Sequence, residues 1–520
     1  MQTQALQGHV RKGVFWPSYI GFSTIGLLSF FAGAPYIHTL LKARDLIFSK
    51  LDWLFAYGTL AMVLICVAIY ISPLASVKIG GPDAKPLLNK YQWMAVALCT
   101  TVAAGIMFWA TSEPLFHLYQ PPITKGITPN SSDAEAFALA TLFHHWSITP
   151  SAIYTLPALT FALAFFNLKQ PFSLSSLFAP ILGDRARLYS GFIDACCVFS
   201  LVTGMSASLG TGAMTISGSY EKYVSKEYHP YLLGLLIAFL VICFTASAAS
   251  GLMKGIRLLS SLNVKMFIAM VVFICFFGPI QEIVTLSWRS LNYLAHNFIS
   301  MSTFTKTATG DDWPHHWSIF YWSSWLSWAP ITAVFLGRIS YGHTVRDFLH
   351  INLAVPAVFS CIWTGVFGAT SLVYDRIDGA LYKTLKNLGP NAVSYELLNH
   401  FPVPIAIIIF FVLITFISYT TAADSTTDAI SALCSRQIHG EPLTKGSTTV
   451  KITWAFTIGF VAWVLSAHSG IEGMKLLSCL GGLPALFLIL IATISLLKMA
   501  LFDLASDRVI PLQAKRPEIN

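Results

Sequence analysis

Long apolar runs broken by almost no charge constrain this chain more than any other feature. Residues 232–249 and 476–497 carry no charged side chain. Such stretches match the roughly 20 residues a helix needs to cross a bilayer, whereas a membrane barrel would alternate apolar and polar positions. Windows of about 19 residues place spans near 14–34, 53–73, 92–112, 136–166, 189–215, 231–252, 262–281, 315–337, 351–374, 402–424, 451–468 and 474–498. The expected fold class is an all-α polytopic membrane protein with twelve transmembrane helices. Only 11% of the residues are charged, against about 25% in soluble domains, which excludes a soluble enzyme.

An even number of spans puts both termini on one side. Lys and Arg are more frequent on that side, so the positive-inside rule makes it the cytoplasm. The same bias accounts for the net charge of +8 without nucleic acid. The run 14–34 lacks a clear small-residue cleavage site and is long enough to span, so it is expected as a retained first helix. The nine cysteines fall mostly in apolar runs without metal or disulfide spacing and read as packing residues. The organisation expected is an N-terminal tail 1–13, two peripheral helices 14–91, five spans 92–281, an outer loop or interfacial helix 282–314, five more spans 315–498, and a tail 499–520. Segment 339–350 mixes charge with apolar residues at helical spacing and predicts a short interfacial helix.

Ionisable residues inside lipid mark function by default, and here they are Glu113, Asp194, Glu282, Asp424 and Asp428, with His144 and His145. Each also has a structural reading. Glu113 and Glu282 stand near span ends, where a carboxylate reaches the interface, and Asp194 can bond a neighbouring helix. Adjacent His144 and His145 cannot both face one site on a helix, so no histidine metal site is expected. The stretch YTTAADSTTD (419–428) concentrates hydroxyls and small residues. Thr420, Thr421, Ser425 and Thr426 can offer oxygen to a hard cation such as sodium or line a close helix crossing.

Five of the fourteen tryptophans, Trp313, Trp317, Trp322, Trp325 and Trp328, fall within 313–328. The first two suit an interfacial belt. The last three recur every third residue in YWSSWLSWAP and predict one broad aromatic face, which attracts a cation at roughly 0.5 to 2 kcal/mol per contact. Trp146 and Tyr154 in HHWSITPSAIY add to it. A large aromatic core is the alternative reading. Spans three and eight each hold small residues ahead of a proline, Thr101, Ala103, Ala104 and Gly105 before Pro114 and Ser323 and Ser324 before Pro330. They open two blocks of five spans, and an odd count per block inverts its topology, the geometry of alternating access.

The strings GIMFWATSEPLFHLYQPP (105–122), HHWSITPSAIY (144–154), GLMKGIRLLSSLN (251–263), WSIFYWSSWLSWAPITAVFLGRISYGHTVRDF (317–348) and TTAADS (420–425) resemble the betaine/choline/carnitine transporter family, in order and over nearly the whole chain. The resemblance implies two inverted five-helix repeats in the leucine-transporter-like arrangement, commonly a homotrimer among the lipids of a bacterial inner membrane. It implies quaternary ammonium or zwitterionic solutes. Carried over, the family's aromatic box corresponds to Trp146, Ser151, Tyr154 and Trp325, with Trp322 and Trp328 lining the inner pathway. Two positions where the family has tryptophan are Ser151 and Ser324, which lowers cation–π surface and adds hydroxyls. The family's glycine run reads Thr101, Ala103 and Gly105, keeping one glycine near the solute. Thr421 and Ser425 match the sodium-ligating hydroxyls, but Ala422 stands where sodium-coupled members have a second hydroxyl, so sodium is a weakened candidate for the coupling ion beside protons or exchange. No other cofactor, catalytic residue or metal site is implied.

The reading is therefore a secondary-active carrier of a glycine betaine, carnitine or choline type of solute. The alternative is the same fold carrying an amino acid or a cyclic compatible solute such as ectoine. A ligand-binding receptor and an intramembrane enzyme are competing classes, and the sequence offers neither a nucleophile with a base nor a metal constellation for the latter.

Overall fold

The computed structural model describes residues 10–101, 105–171, 173–221, 223–224, 228–250, 253–435 and 447–503. Expectations on the extreme termini and on 102–104, Ala103 among them, lie outside these residues. The described chain is helical, with the β-type pairing limited to two isolated bridges. Helices α1 (Lys12–Ala32) and α2 (Ala34–Ile71) are followed by α3 (Lys90–Thr101) and α4 (Ile106–Tyr119). Next come α5 (Ser132–Trp146), α6 (Ile148–Ala162), α7 (Ser190–Ser217), α8 (His229–Ser250), α9 (Met253–Phe277) and α10 (Ile280–Ser302). The chain continues through α11 (Ser318–Ile339), α12 (Val355–Asp378), α13 (Ala380–Leu388), α14 (Pro390–Leu398), α15 (Pro404–Leu433) and α16 (Thr448–Lys498).

Helices are forced here because a backbone in lipid must satisfy its own hydrogen bonds. The outer faces bear this out: Leu235, Phe239 and Ile242 of α8, and Ile268, Val272 and Phe276 of α9, form exposed apolar stripes. Patches of that size are unsustainable in water. The molecule is a multi-pass membrane protein. Among the described residues eight helical stretches are long and apolar enough to cross a bilayer, or nine if one bent pair counts as a span. The difference from twelve has local causes. Span three is represented by α3 and α4, each too short alone, and the last two expected spans share α16, broken at Gly470 with φ 52° and ψ −133°. A Cβ on Gly473 would touch the carbonyl of Leu465, so the chain doubles back sharply there.

Span four is interrupted at Ser147, whose φ −108° and ψ −103° separate α5 from α6. Trp317, at φ −126° and ψ −86°, likewise divides the turn Trp313–His316 from α11. The outer segment expected at 282–314 holds α10, bent by 110° from the preceding helix. Its buried Ile283, Leu286, Ser290 and Leu294 keep one face inward, while Val284 and Trp288 stay exposed. Segment 339–350 is not a separate interfacial helix. Gly342, at φ +84°, makes a turn against Lys85 and Pro86, Val345 bonds Val77, and only Val345–Leu349 is helical, running on toward α12.

Three helices meet around small residues. Gly204 of α7 abuts Ser327 and Trp328 of α11, Gly481 of α16 abuts Thr203 and Ser200 of α7, and Gly482 abuts Ser323 of α11. Without large side chains between them, the backbones approach closely, as membrane helix packing requires. This crossing holds α11 rigidly against α4, α5 and α6.

Candidate functional site

The breaks at Ser147 and Trp317 bring three of the expected aromatic residues together. Trp146 ends α5, Tyr154 lies on α6, and Trp325 stands between them. The rings of Trp146 and Trp325 are 5.2 Å apart at 85°, and those of Tyr154 and Trp325 are 5.6 Å apart at 76°. Edge-to-face contact sets the positive edge of one ring on the negative face of another, and an ammonium group competes for that same face. All three rings are buried. Gly105, the residue opening α4, lies where an added Cβ would be 3.4 Å from Trp146. Trp325 is fixed by its indole N–H, which donates to the carbonyl of His145 at 3.0 Å.

The other expected tryptophans point elsewhere. Trp322 packs 5.1 Å from His144 and 5.7 Å from His145, and Trp328 lies against Gly204 of α7. A spacing of three advances a helix by about 300°, so the three rings fan over some 120° instead of forming one face. Ser324 meets α16, with Ser478 Oγ 3.5 Å away. Ser151 is buried and donates to the Ser147 carbonyl at 2.8 Å, so it partners the broken end of α5. Neither serine hydroxyl is tied to the aromatic cluster by a hydrogen bond among the described residues.

A buried polar group behind the cluster was read differently from the sequence. Glu113 does not reach the interface: its side chain is 0% exposed. Its Oε1 accepts from His145 Nδ1 at 2.6 Å and faces His117 Nε2 at 3.3 Å. Its Oε2 accepts the Trp146 indole N–H at 3.1 Å and the Tyr321 hydroxyl. Four partners satisfy a carboxylate that lipid would otherwise exclude. The ligand atoms of Glu113, His117 and His145 lie within 4.8 Å of one another, but the 2.6 Å contact is a hydrogen bond, which places a proton rather than an ion between Glu113 and His145. His144 diverges, as expected, toward Ser302 at 3.0 Å. The signal in the sequence was the Glu-Pro-x-x-His spacing of SEPLFH, which sets Glu113 and His117 one turn apart on α4. Lys475 was also missed. Its ammonium lies 4.9 Å from the Trp317 ring, 5.4 Å from Phe320 and 6.0 Å from Trp109, and pairs with Glu472 at 3.2 Å.

The remaining ionisable candidates are structural. Asp194 pairs with Arg11 at 2.7 Å, Asp428 pairs with Lys451, and Glu282 is exposed in the first turn of α10. On α15, Thr421 donates to the carbonyls of Ile417 and Ser418, and Ser425 donates to that of Thr421 at 3.0 Å. Their hydrogens point along their own helix, which leaves oxygen lone pairs facing outward.

The chain matches the family described as BCCT, betaine/carnitine/choline family transporter, over residues 13–504. It is 28% identical over 470 residues to a probable glycine betaine transporter of Desulfitobacterium hafniense, covering 88% of this chain and 91% of that one. It is 29% identical over 460 residues to the glycine betaine transporter OpuD of Bacillus subtilis, covering 88% of each. An ectoine/hydroxyectoine transporter of Virgibacillus pantothenticus is 25% identical over 447 residues, 86% of this chain and 88% of the other. With a family match over nearly its whole length and an apolar-faced helical fold that buries an aromatic cluster, the chain belongs to the BCCT family of transporters.

Proposed function

We propose that this protein carries a small zwitterionic or quaternary ammonium compatible solute of the glycine betaine type across a bacterial inner membrane, by secondary-active alternating access. The observation that supports this most is the Trp146, Tyr154 and Trp325 cluster, reached from α4 at Gly105. The head group would take the ring faces that now meet ring edges. In this reading the chain has twelve spans, two inverted five-helix repeats and both termini in the cytoplasm, works as a homotrimer, and is a carrier rather than an enzyme. Intrinsic tryptophan fluorescence of the reconstituted protein tests it with glycine betaine, carnitine, choline, ectoine and several amino acids, each with and without sodium. Saturable quenching by a trimethylammonium solute is expected, and no response to any of them would defeat the proposal.

A second reading, the same fold carrying ectoine or an amino acid, is favoured by Ser151 and Ser324 at positions where the family has rings. Quenching confined to ectoine or primary amines would select it.

Sodium coupling would rest on the outward lone pairs of Thr421 and Ser425. Thr421→Ala is then expected to remove sodium stimulation of solute uptake into vesicles while leaving sodium-free binding intact. Undiminished stimulation in that variant would place the ion elsewhere.

A further inference from the structure

Three buried histidines surround Glu113, and only one is built to change its charge. His117 Nδ1 and His144 Nδ1 are buried without a hydrogen-bond partner, so a second proton on either ring would leave an N–H unsatisfied, at the cost of burying an unpaired donor. His145 differs: Nδ1 meets Glu113 at 2.6 Å and Nε2 meets the Ser318 hydroxyl at 2.9 Å. A hydroxyl both donates and accepts. With His145 neutral, Ser318 donates to Nε2; with His145 doubly protonated, Nε2–H donates to Ser318. Both states are satisfied without moving a heavy atom.

The same pair supports the aromatic cluster. Glu113 Oε2 receives the Trp146 indole, which can only donate, and the His145 carbonyl receives the Trp325 indole. Glu113 with neutral His145 carries one negative charge, and one added proton cancels it. A fixed cation bound on the Trp146 and Trp325 faces is attracted by the first state and not by the second.

We propose that Glu113 and His145 form a proton-binding site linked with negative sign to the solute's cationic head group, so that a proton leaves His145 for water as the head group binds. This rests on the solute reading above. The charged and titratable groups around the pair are His117 on α4, His144 on α5, Tyr321 on α11 and Lys475 on α16, the last held by Glu472 and beside Arg44. Asp375 of α12 and Tyr382 of α13 reach α4 only at Tyr119, six residues beyond Glu113. Lys475 favours the proton-free state. Linkage is reciprocal, so the external proton gradient would bias solute release or exchange.

The test uses glycine betaine and the full-length reconstituted protein. Its ammonium carries no titratable proton and its carboxylate stays ionised from about pH 5.5 to 8.5, the histidine range. The dissociation constant is expected to weaken about tenfold toward low pH, within the usual span of coupling factors. Calorimetry in two buffers of different ionisation enthalpy should count protons released on binding by the parent protein, with no variant needed. Glu113→Gln, and separately His145→Asn, should flatten the pH dependence and remove the proton release. Binding that is independent of pH with no proton exchange would overturn the proposal and leave the solute reading standing, as would a Glu113→Gln protein with the parent's full pH dependence. Absence of glycine betaine binding at every pH would instead defeat the solute reading, and this proposal with it.

Discussion

Trp325→Ala is expected to abolish high-affinity solute binding. Trp325 shares edge-to-face contacts with both Trp146 and Tyr154, so its loss removes the central face of the cluster. It also leaves the His145 carbonyl without the indole N–H that now satisfies it. At roughly 0.5 to 2 kcal/mol per cation–π contact, plus about 1 to 3 kcal/mol for an unsatisfied buried acceptor, the dissociation constant should rise at least tenfold and as much as a thousandfold. Titration followed by the remaining tryptophans, or radiolabelled solute binding, measures it. Trp325→Phe separates the two terms, since it keeps a ring and loses only the hydrogen bond; it should fall between parent and alanine. Near-parent affinity in Trp325→Ala would remove the aromatic cluster from the solute site.

Gly482→Val should damage the fold itself. A Cβ at Gly482 would stand 2.3 Å from the Ser323 carbonyl oxygen and 2.7 Å from its Cα. Because the obstacle is backbone, no rotamer change relieves it, and the cost should reach or exceed the roughly 1 to 3 kcal/mol typical of overpacking. Ser323 donates to the Ser478 carbonyl across the same contact at 2.9 Å, so α11 and α16 would separate and carry Trp325 away from Trp146. The expected result is a large drop in the melting temperature of the detergent-solubilised protein and loss of its monodisperse fraction. A melting temperature equal to the parent's would mean that the two helices do not pack as closely as described.

Glu113 shows where sequence reasoning fell short. Near the end of an expected span, with a proline after it, a carboxylate is most cheaply placed at the interface. The fold instead carries α4 inward and surrounds that carboxylate with donors from α4, α5 and α11, and these partners are 4, 32, 33 and 208 residues away in the chain. The tryptophan series of α11 failed differently. Its spacing was legible, but a step of three residues rotates each ring away from the last, and the neighbours decide what each one meets.

The chain's own sequence determined that it is helical, that it lives in a membrane, roughly where the spans lie and which residue types could hold a cation, because these follow from the length and continuity of apolar runs and from local strings. The tertiary structure alone decided that Trp146, Tyr154 and Trp325 converge while Trp322 and Trp328 do not, and that Glu113 is buried behind them. Hydropathy is set by a residue's immediate neighbours in the chain, whereas a ring contact or a buried hydrogen bond depends on where helices break and how closely they cross. Here that was fixed by the backbone at Ser147 and Trp317 and by the glycines between α7, α11 and α16.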